Sequence, residues 1–127
     1  MFAQINLKTI DGEEKAFKFL ATASTAYRYR QVFNEDLMMQ LIKIQRVHDG
    51  GVTNETADFE IVTSMIAEKL AFIMNAQAEG KDMKTLNLDS FLEWCDQFSA
   101  MGLTEKAQEL VNLYLGNRET KSTPKKK

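Results

Sequence analysis

Between Phe17 and Met38 the apolar residues of this chain change period, and that change limits its fold more than any other feature. Phe17, Phe19 and Ala21 are spaced two apart, which places them on one face of a strand. Ser and Thr residues follow, and then a short basic and aromatic segment, Tyr27, Arg28, Tyr29, Arg30 and Phe33, that reads as a helix. Asn34-Glu35-Asp36 then opens a new apolar-periodic helix at Leu37. Alternation ends at Ala21 and helical spacing dominates afterwards. The sequence therefore predicts an α+β fold, mainly α, with an N-terminal β-hairpin followed by about five helices.

The hairpin is expected over residues 2–21. Residues 2–9 alternate, with Ile5 and Leu7 opposite Gln4, Asn6 and Lys8, and residues 15–21 alternate again with Phe17 and Phe19 against Lys18. Asp11-Gly12 between them is a turn signal, because glycine takes positive φ without steric cost. Two strands alone are marginal in water, so the face of Ile5, Leu7, Phe17 and Phe19 must rest on helices or on another subunit.

The first helix is expected from Ser24 or Thr25, whose hydroxyls can accept a bond from an unpaired first-turn N–H, to about Phe33. Asn34 reads as the N-cap of the second, where Glu35 and Asp36 suit the positive end of the helix dipole. Leu37, Leu41, Ile44 and Met38 would form its buried stripe, with His48 in its last turn and Gly50-Gly51 as its stop. Residues 56–79 carry no Gly or Pro and form the clearest helical segment. Glu60, Ser64, Glu68, Asn75 and Glu79 fall on one narrow stripe that reads as a solvated face, leaving a broad apolar arc broken by Thr63, Lys69 and Gln77. Such a helix is either central to its own domain or partly covered by a partner. After the polar run 81–87, Asn87 or Asp89 can cap a helix carrying Phe91, Leu92, Cys95 and Phe98 and ended by Gly102. Thr104 can cap a last helix with the stripe Ala107, Leu110, Val111 and Tyr114, stopped by Gly116. The helices thus span 24–116, within one domain of residues 1–116. Residues 117–127 have no apolar side chain besides one proline and are expected as a disordered basic tail.

Composition narrows the function classes. The chain has 127 residues, 44% hydrophobic and 27% charged, enough for one core and too few for two ordinary domains. No apolar run approaches the ~20 residues of a membrane helix, and MFAQINLKTID lacks a signal-peptide profile, so a cytoplasmic protein is expected. The single Cys95 cannot form an intramolecular disulfide, in keeping with a reducing compartment. Lys121, Lys125, Lys126 and Lys127 lie in the last seven residues; without them twelve basic residues face eighteen acidic ones, leaving −6 on the body. An acidic body is a poor general phosphate binder, which disfavours nucleic acid.

With one histidine and one cysteine there is no Cys/His cluster for zinc and no relay beyond His48 to activate a serine. Neither GxxxxGK[ST] nor GxGxxG occurs. No enzyme activity, cofactor or metal is expected. Candidates for partner contact are Tyr27, Arg28, Arg30 and Phe33, because tyrosine and arginine are enriched at interfaces, although the same residues would serve to bridge hairpin and core. Trp94 is a core or rim residue by default and an anchor if exposed. The seven methionines suit adaptable apolar surfaces.

Phe19, Ala21-Thr22, Arg28-Tyr29-Arg30, Phe33, Asp36-Leu37 and Trp94-Cys95-Asp96-Gln97-Phe98 together resemble the small tail assembly chaperones of long-tailed bacteriophages, especially those of phages and prophages of Gram-positive bacteria. The resemblance spans most of the expected ordered length. It departs from the family pattern near Ala26, where a proline is expected, and near Asn34, where a glycine is expected. It implies a non-enzymatic chaperone that coats the tape measure protein, helps deliver it to the major tail tube protein, and leaves the finished tail. Self-association into an oligomer or spiral in the host cytoplasm would follow. Within that reading, Met65 and Phe72 on the 56–79 helix and the Tyr27–Phe33 segment are the favoured contact residues. Many such chaperones are also made in a longer, frameshifted form, which the Lys125–Lys127 run would suit. Two other readings are a helical DNA-binding regulator or adaptor using Arg28, Arg30 and Lys43, and a structural tail subunit retained in the virion.

Overall fold

The computed structural model describes residues 1–42 and 56–116, with side-chain surroundings in the long central helix from Ser64 onward. The expectations placed on Lys43, Ile44, His48, Gly50-Gly51, Glu60 and Thr63 as side chains, and on the 117–127 tail, lie outside what is described. An N-terminal antiparallel hairpin precedes five helices, as the change of period predicts.

Strands β1 (Phe2–Lys8) and β2 (Glu14–Leu20) pair with Ile5 opposite Phe17 and Ala3 opposite Phe19. This register puts the large apolar side chains on one face, where Ile5, Leu7 and Phe19 are buried. The connection is wider than a two-residue turn: the Gly12 N–H donates to the Thr9 carbonyl at 2.9 Å and Gly12 takes φ +86°. Met1 and Ala21 extend the ladder by one pair, with the Ala21 N–H donating to the Met1 carbonyl at 2.8 Å.

Helix α1 (Thr25–Phe33) follows a hydroxyl-rich corner. Here the expected cap is corrected, because no side chain caps its first turn; the Ser24 hydroxyl instead accepts from Arg28 Nε at 2.8 Å. Thr25, fully buried, accepts from the Thr22 N–H at 2.8 Å and donates to Gln77 of the central helix at 2.9 Å. Asn34 is likewise not the N-cap of the next helix but the C-cap of α1, at φ +56° and ψ +38°, with its N–H donating to the Arg30 carbonyl at 2.7 Å. Asparagine is among the few non-glycine residues that tolerate this left-handed region, so the α1 terminus claims it. Asp36 supplies the cap of α2, described over residues 37–42, by accepting the Met39 N–H at 3.1 Å. Leu37 and Leu41 are buried on α2, but Met38 is exposed and not part of the stripe.

Helix α3 (Thr56–Ala78) is the centre of the molecule. Residues 70–76 are buried without interruption for two turns, so this stretch is enclosed on all sides. The stripe read as solvated is therefore corrected: Ser64 and Asn75 are buried, and both make hydrogen bonds to other elements. Around α3 pack β2, α1 and the later helices α4 (Leu88–Cys95) and α5 (Ala107–Leu115). Asn87 caps α4 reciprocally with Ser90, which accepts the Asn87 N–H at 3.0 Å while Asn87 Oδ1 accepts the Ser90 N–H at 2.9 Å. The helix stops at Cys95, well before Gly102, because the chain then leaves to pair with the hairpin. The Ile10 N–H donates to the Gln97 carbonyl at 2.9 Å and the Ser99 N–H to the Lys8 carbonyl at 3.1 Å. Leu92, expected in the buried stripe, is exposed, and Trp94 takes the inward position. Thr104 opens a 3₁₀ turn before α5 without capping it, its hydroxyl lying 3.0 Å from that of Ser64. Gly116 ends α5 at φ +66° as expected.

Candidate partner-binding surface

The sequence candidates divide between the core and the surface. Phe33, Phe72 and Trp94 join a continuous run of edge-to-face and tilted rings. Tyr29 meets Phe33 at 5.2 Å, Phe33 meets Phe91 at 5.4 Å, and Phe72 meets Phe91 at 5.6 Å and Trp94 at 5.5 Å. Trp94 continues to Phe98 at 4.8 Å and Phe98 to Phe17 at 5.0 Å, so the run ties α1, α3 and α4 to the hairpin. Phe72 is 3% exposed and Trp94 8% exposed, which makes them core residues rather than contacts open to a partner. Phe33 is half-buried, with the Lys69 ammonium 5.4 Å above its ring.

Tyr27 is 77% exposed and Arg30 is exposed, while Arg28 is half-buried and held by Ser24. The tyrosines of this segment therefore have opposite roles, because Tyr29 is fully buried. Its hydroxyl donates to Gln40 Oε1 at 2.9 Å, with Glu35 Oε1 at 3.5 Å. Burial first, and then the Glu35 charge, push the Tyr29 phenol far above its ordinary range. Glu35 accepts both Lys69 contacts, at 3.0 and 3.1 Å, and the Gln40 amide at 3.3 Å. Burial acts to raise the pKa of Glu35, but these hydrogen bonds and the Lys69 charge outweigh it and hold the carboxyl below its usual value. This cluster locks the α1–α2 corner onto α3.

Met65 is 53% exposed and lies one turn before Lys69 on α3. Sequence reasoning missed its neighbours in kind. Met38, Met39 and Ile42 are exposed on α2, and Leu115 is exposed on α5. The Tyr114 hydroxyl donates to Met38 Sδ at 3.3 Å, which brings the end of α5 against the start of α2. The signal was present in the adjacent Met38-Met39 pair, since unbranched thioethers are poorly suited to specifying a core and well suited to adaptable surfaces. Leu88 and Leu92 form a second exposed apolar pair, four residues apart on α4.

Among the described residues no group of three or more His, Cys, Asp or Glu side chains is placed to hold a metal ion. Burial, with the charges of Glu68 and Asp96 behind it, pushes the Cys95 thiol up to about 12, so it stays protonated at neutral pH. A cleft of about 290 Å³ between β2, the end of α3 and Gln97 is lined by Lys15, Lys18 and Lys81 against Glu79. No described helix is long and apolar enough to cross a membrane. Comparison with protein-family profiles, curated proteins and solved structures finds no match to this chain.

Proposed function

We infer that this chain is a tail assembly chaperone of a long-tailed bacteriophage, a protein that binds the tape measure protein, keeps it soluble and promotes its delivery to tail tube subunits in the host cytoplasm. The observation that carries this reading is the exposed apolar face of Met38, Met39 and Ile42 on α2, with Met65 and Leu115. A tape measure is a long amphipathic chain that must be masked segment by segment, and methionine repacks against changing side chains at low cost. Exposed apolar side chains grouped in this way on α2, on a small protein with a filled core, point to a protein partner.

The backbone at the two departures from the family pattern is compatible with the residues expected there. Asn34 takes a left-handed conformation, where glycine and asparagine substitute for each other with least strain. Ala26 is the second residue of α1, within the first turn, where a proline costs no intrahelical hydrogen bond.

The test is co-expression with the tape measure protein of the same gene neighbourhood. Soluble tape measure carrying several copies of this chain is expected, with recovery falling sharply for a Met38→Asp, Met39→Asp double variant that keeps its helical circular dichroism. An insoluble tape measure with nothing co-purifying would sink the reading.

A further inference from the structure

The hairpin carries an open sheet edge, and its position follows from the parity of the ladder. The Ala21 N–H donates to the Met1 carbonyl at one end and the Thr9 N–H to the Glu13 carbonyl at the other, so the odd-numbered residues of β1 bond to β2. The even-numbered residues then direct their N–H and C=O groups to the free side. At the far end of β1 that side is filled, because Lys8 and Ile10 bond to Ser99 and Gln97. The chain then turns away at Gly102, whose N–H donates to the Ser99 carbonyl at 2.9 Å. Among the described residues, no hydrogen-bond partner is present for the outward main-chain groups of Phe2, Gln4 and Asn6.

This stretch also lacks the usual protection. Residues 2–7, FAQINL, contain no charge and no proline, the two devices that most often blunt a free edge. Beside it runs a groove of about 280 Å³ lined by Met1, Ala3, Ile5 and Leu113, with Glu109 and Asn112 at its rim. On β2, by contrast, α3 packs against the strand and Asn75 takes the carbonyl of Lys18 at 2.8 Å.

We propose that β1 is an interface for a second copy of this chain, which adds its own β1 antiparallel across a twofold axis at Gln4 to give a continuous four-stranded sheet. The segment is self-complementary in that register. Gln4 faces Gln4 of the second copy, Phe2 faces Asn6, and each of these pairs exchanges main-chain hydrogen bonds. On the inner face Ala3 faces Ile5 of the second copy above the apolar groove. With no charge between residues 2 and 7, no like-charged side chains face each other within that stretch. The interface stands on the hairpin alone and is independent of what the Met38 face binds.

The test combines light scattering with amide exchange on the intact protein. Mass is expected to rise from 14.5 kDa toward twice that between ~1 and ~100 µM, with exchange at Phe2, Gln4 and Asn6 slowing over the same range. Gln4→Lys, which sets two ammonium groups face to face at the axis, abolishes both changes. So does Gln4→Pro, which removes only an outward N–H and so spares the hairpin. A chain that stays at one copy throughout overturns the proposal, as does a multimer whose Gln4 and Asn6 amides exchange at a rate independent of concentration.

Discussion

The indole N–H of Trp94 donates to Asn75 Oδ1 at 3.0 Å inside the core, and the same amide donates through Nδ2 to the Lys18 carbonyl at 2.8 Å. One side chain of α3 thereby connects α4 to β2 and satisfies a polar group on each. Replacing Asn75 with leucine removes the partner of the buried indole N–H and of the part-buried Lys18 carbonyl, at roughly 1–3 kcal/mol per unsatisfied group. A loss of about 2–4 kcal/mol in urea unfolding is expected. A change under about 0.5 kcal/mol would mean that water reaches these groups and the bridge is dispensable.

Gly102 is confined chiefly by main chain. A Cβ there would lie 2.5 Å from the Lys8 carbonyl oxygen. Gly102→Ala must push residues 97–102 away from β1, and a cost of about 1–3 kcal/mol is expected, typical of overpacking. Amide exchange distinguishes this from general loosening: Ile10 and Ser99 should lose protection selectively, and uniform loss across the chain would contradict the stated cause.

Phe72→Ala and Tyr27→Ala separate the two classes of candidate residue. Removing the buried Phe72 ring opens a cavity in the aromatic run and should cost about 3–5 kcal/mol. Tyr27, 77% exposed, should change stability by no more than about 0.5 kcal/mol. Thermal or denaturant unfolding of both variants checks the contrast, and equal effects would contradict the placement of Phe72.

Glu35 makes stability depend on pH in a definite direction. Its folded pKa lies below the ordinary value of 4.5, so between the two values the unfolded chain binds more protons than the native one. Its contribution is complete above the unfolded pKa and is lost as pH falls through the folded one. Glu35→Gln should therefore narrow the gap between stability at neutral pH and stability at about pH 3, measured by urea unfolding. An unchanged gap would show that the Lys69 pair does not persist in solution.

Much of the architecture was legible because it rests on local repeats. Alternation at Ile5, Leu7, Phe17 and Phe19 marks the hairpin, and unbroken helical spacing marks α3. Gly116 reports the end of α5 because positive φ favours glycine wherever it occurs. Cap assignments were less readable, since one residue can serve two adjacent termini. Asn34 satisfies α1 and leaves α2 to Asp36, a choice made by the path of the chain between them. Ser24 and Thr104 were plausible caps by type, yet their hydroxyls are engaged by Arg28 and Ser64, residues on other turns or helices.

The candidate surface was the least legible part, for a related reason. An apolar side chain at helical spacing has the same pattern whether it meets a neighbour or solvent. Phe72 and Met65 share a helix and an apolar character, and only the packing of α4 over one side buries the first and leaves the second open. By itself the sequence determined the element types and their order, because these follow from periodicity and turn chemistry within a few residues. Tertiary structure alone decided which faces are covered, which polar residues of α3 become internal bridges, and which edge of the hairpin stays open, because each depends on what residues distant in the chain bring into contact.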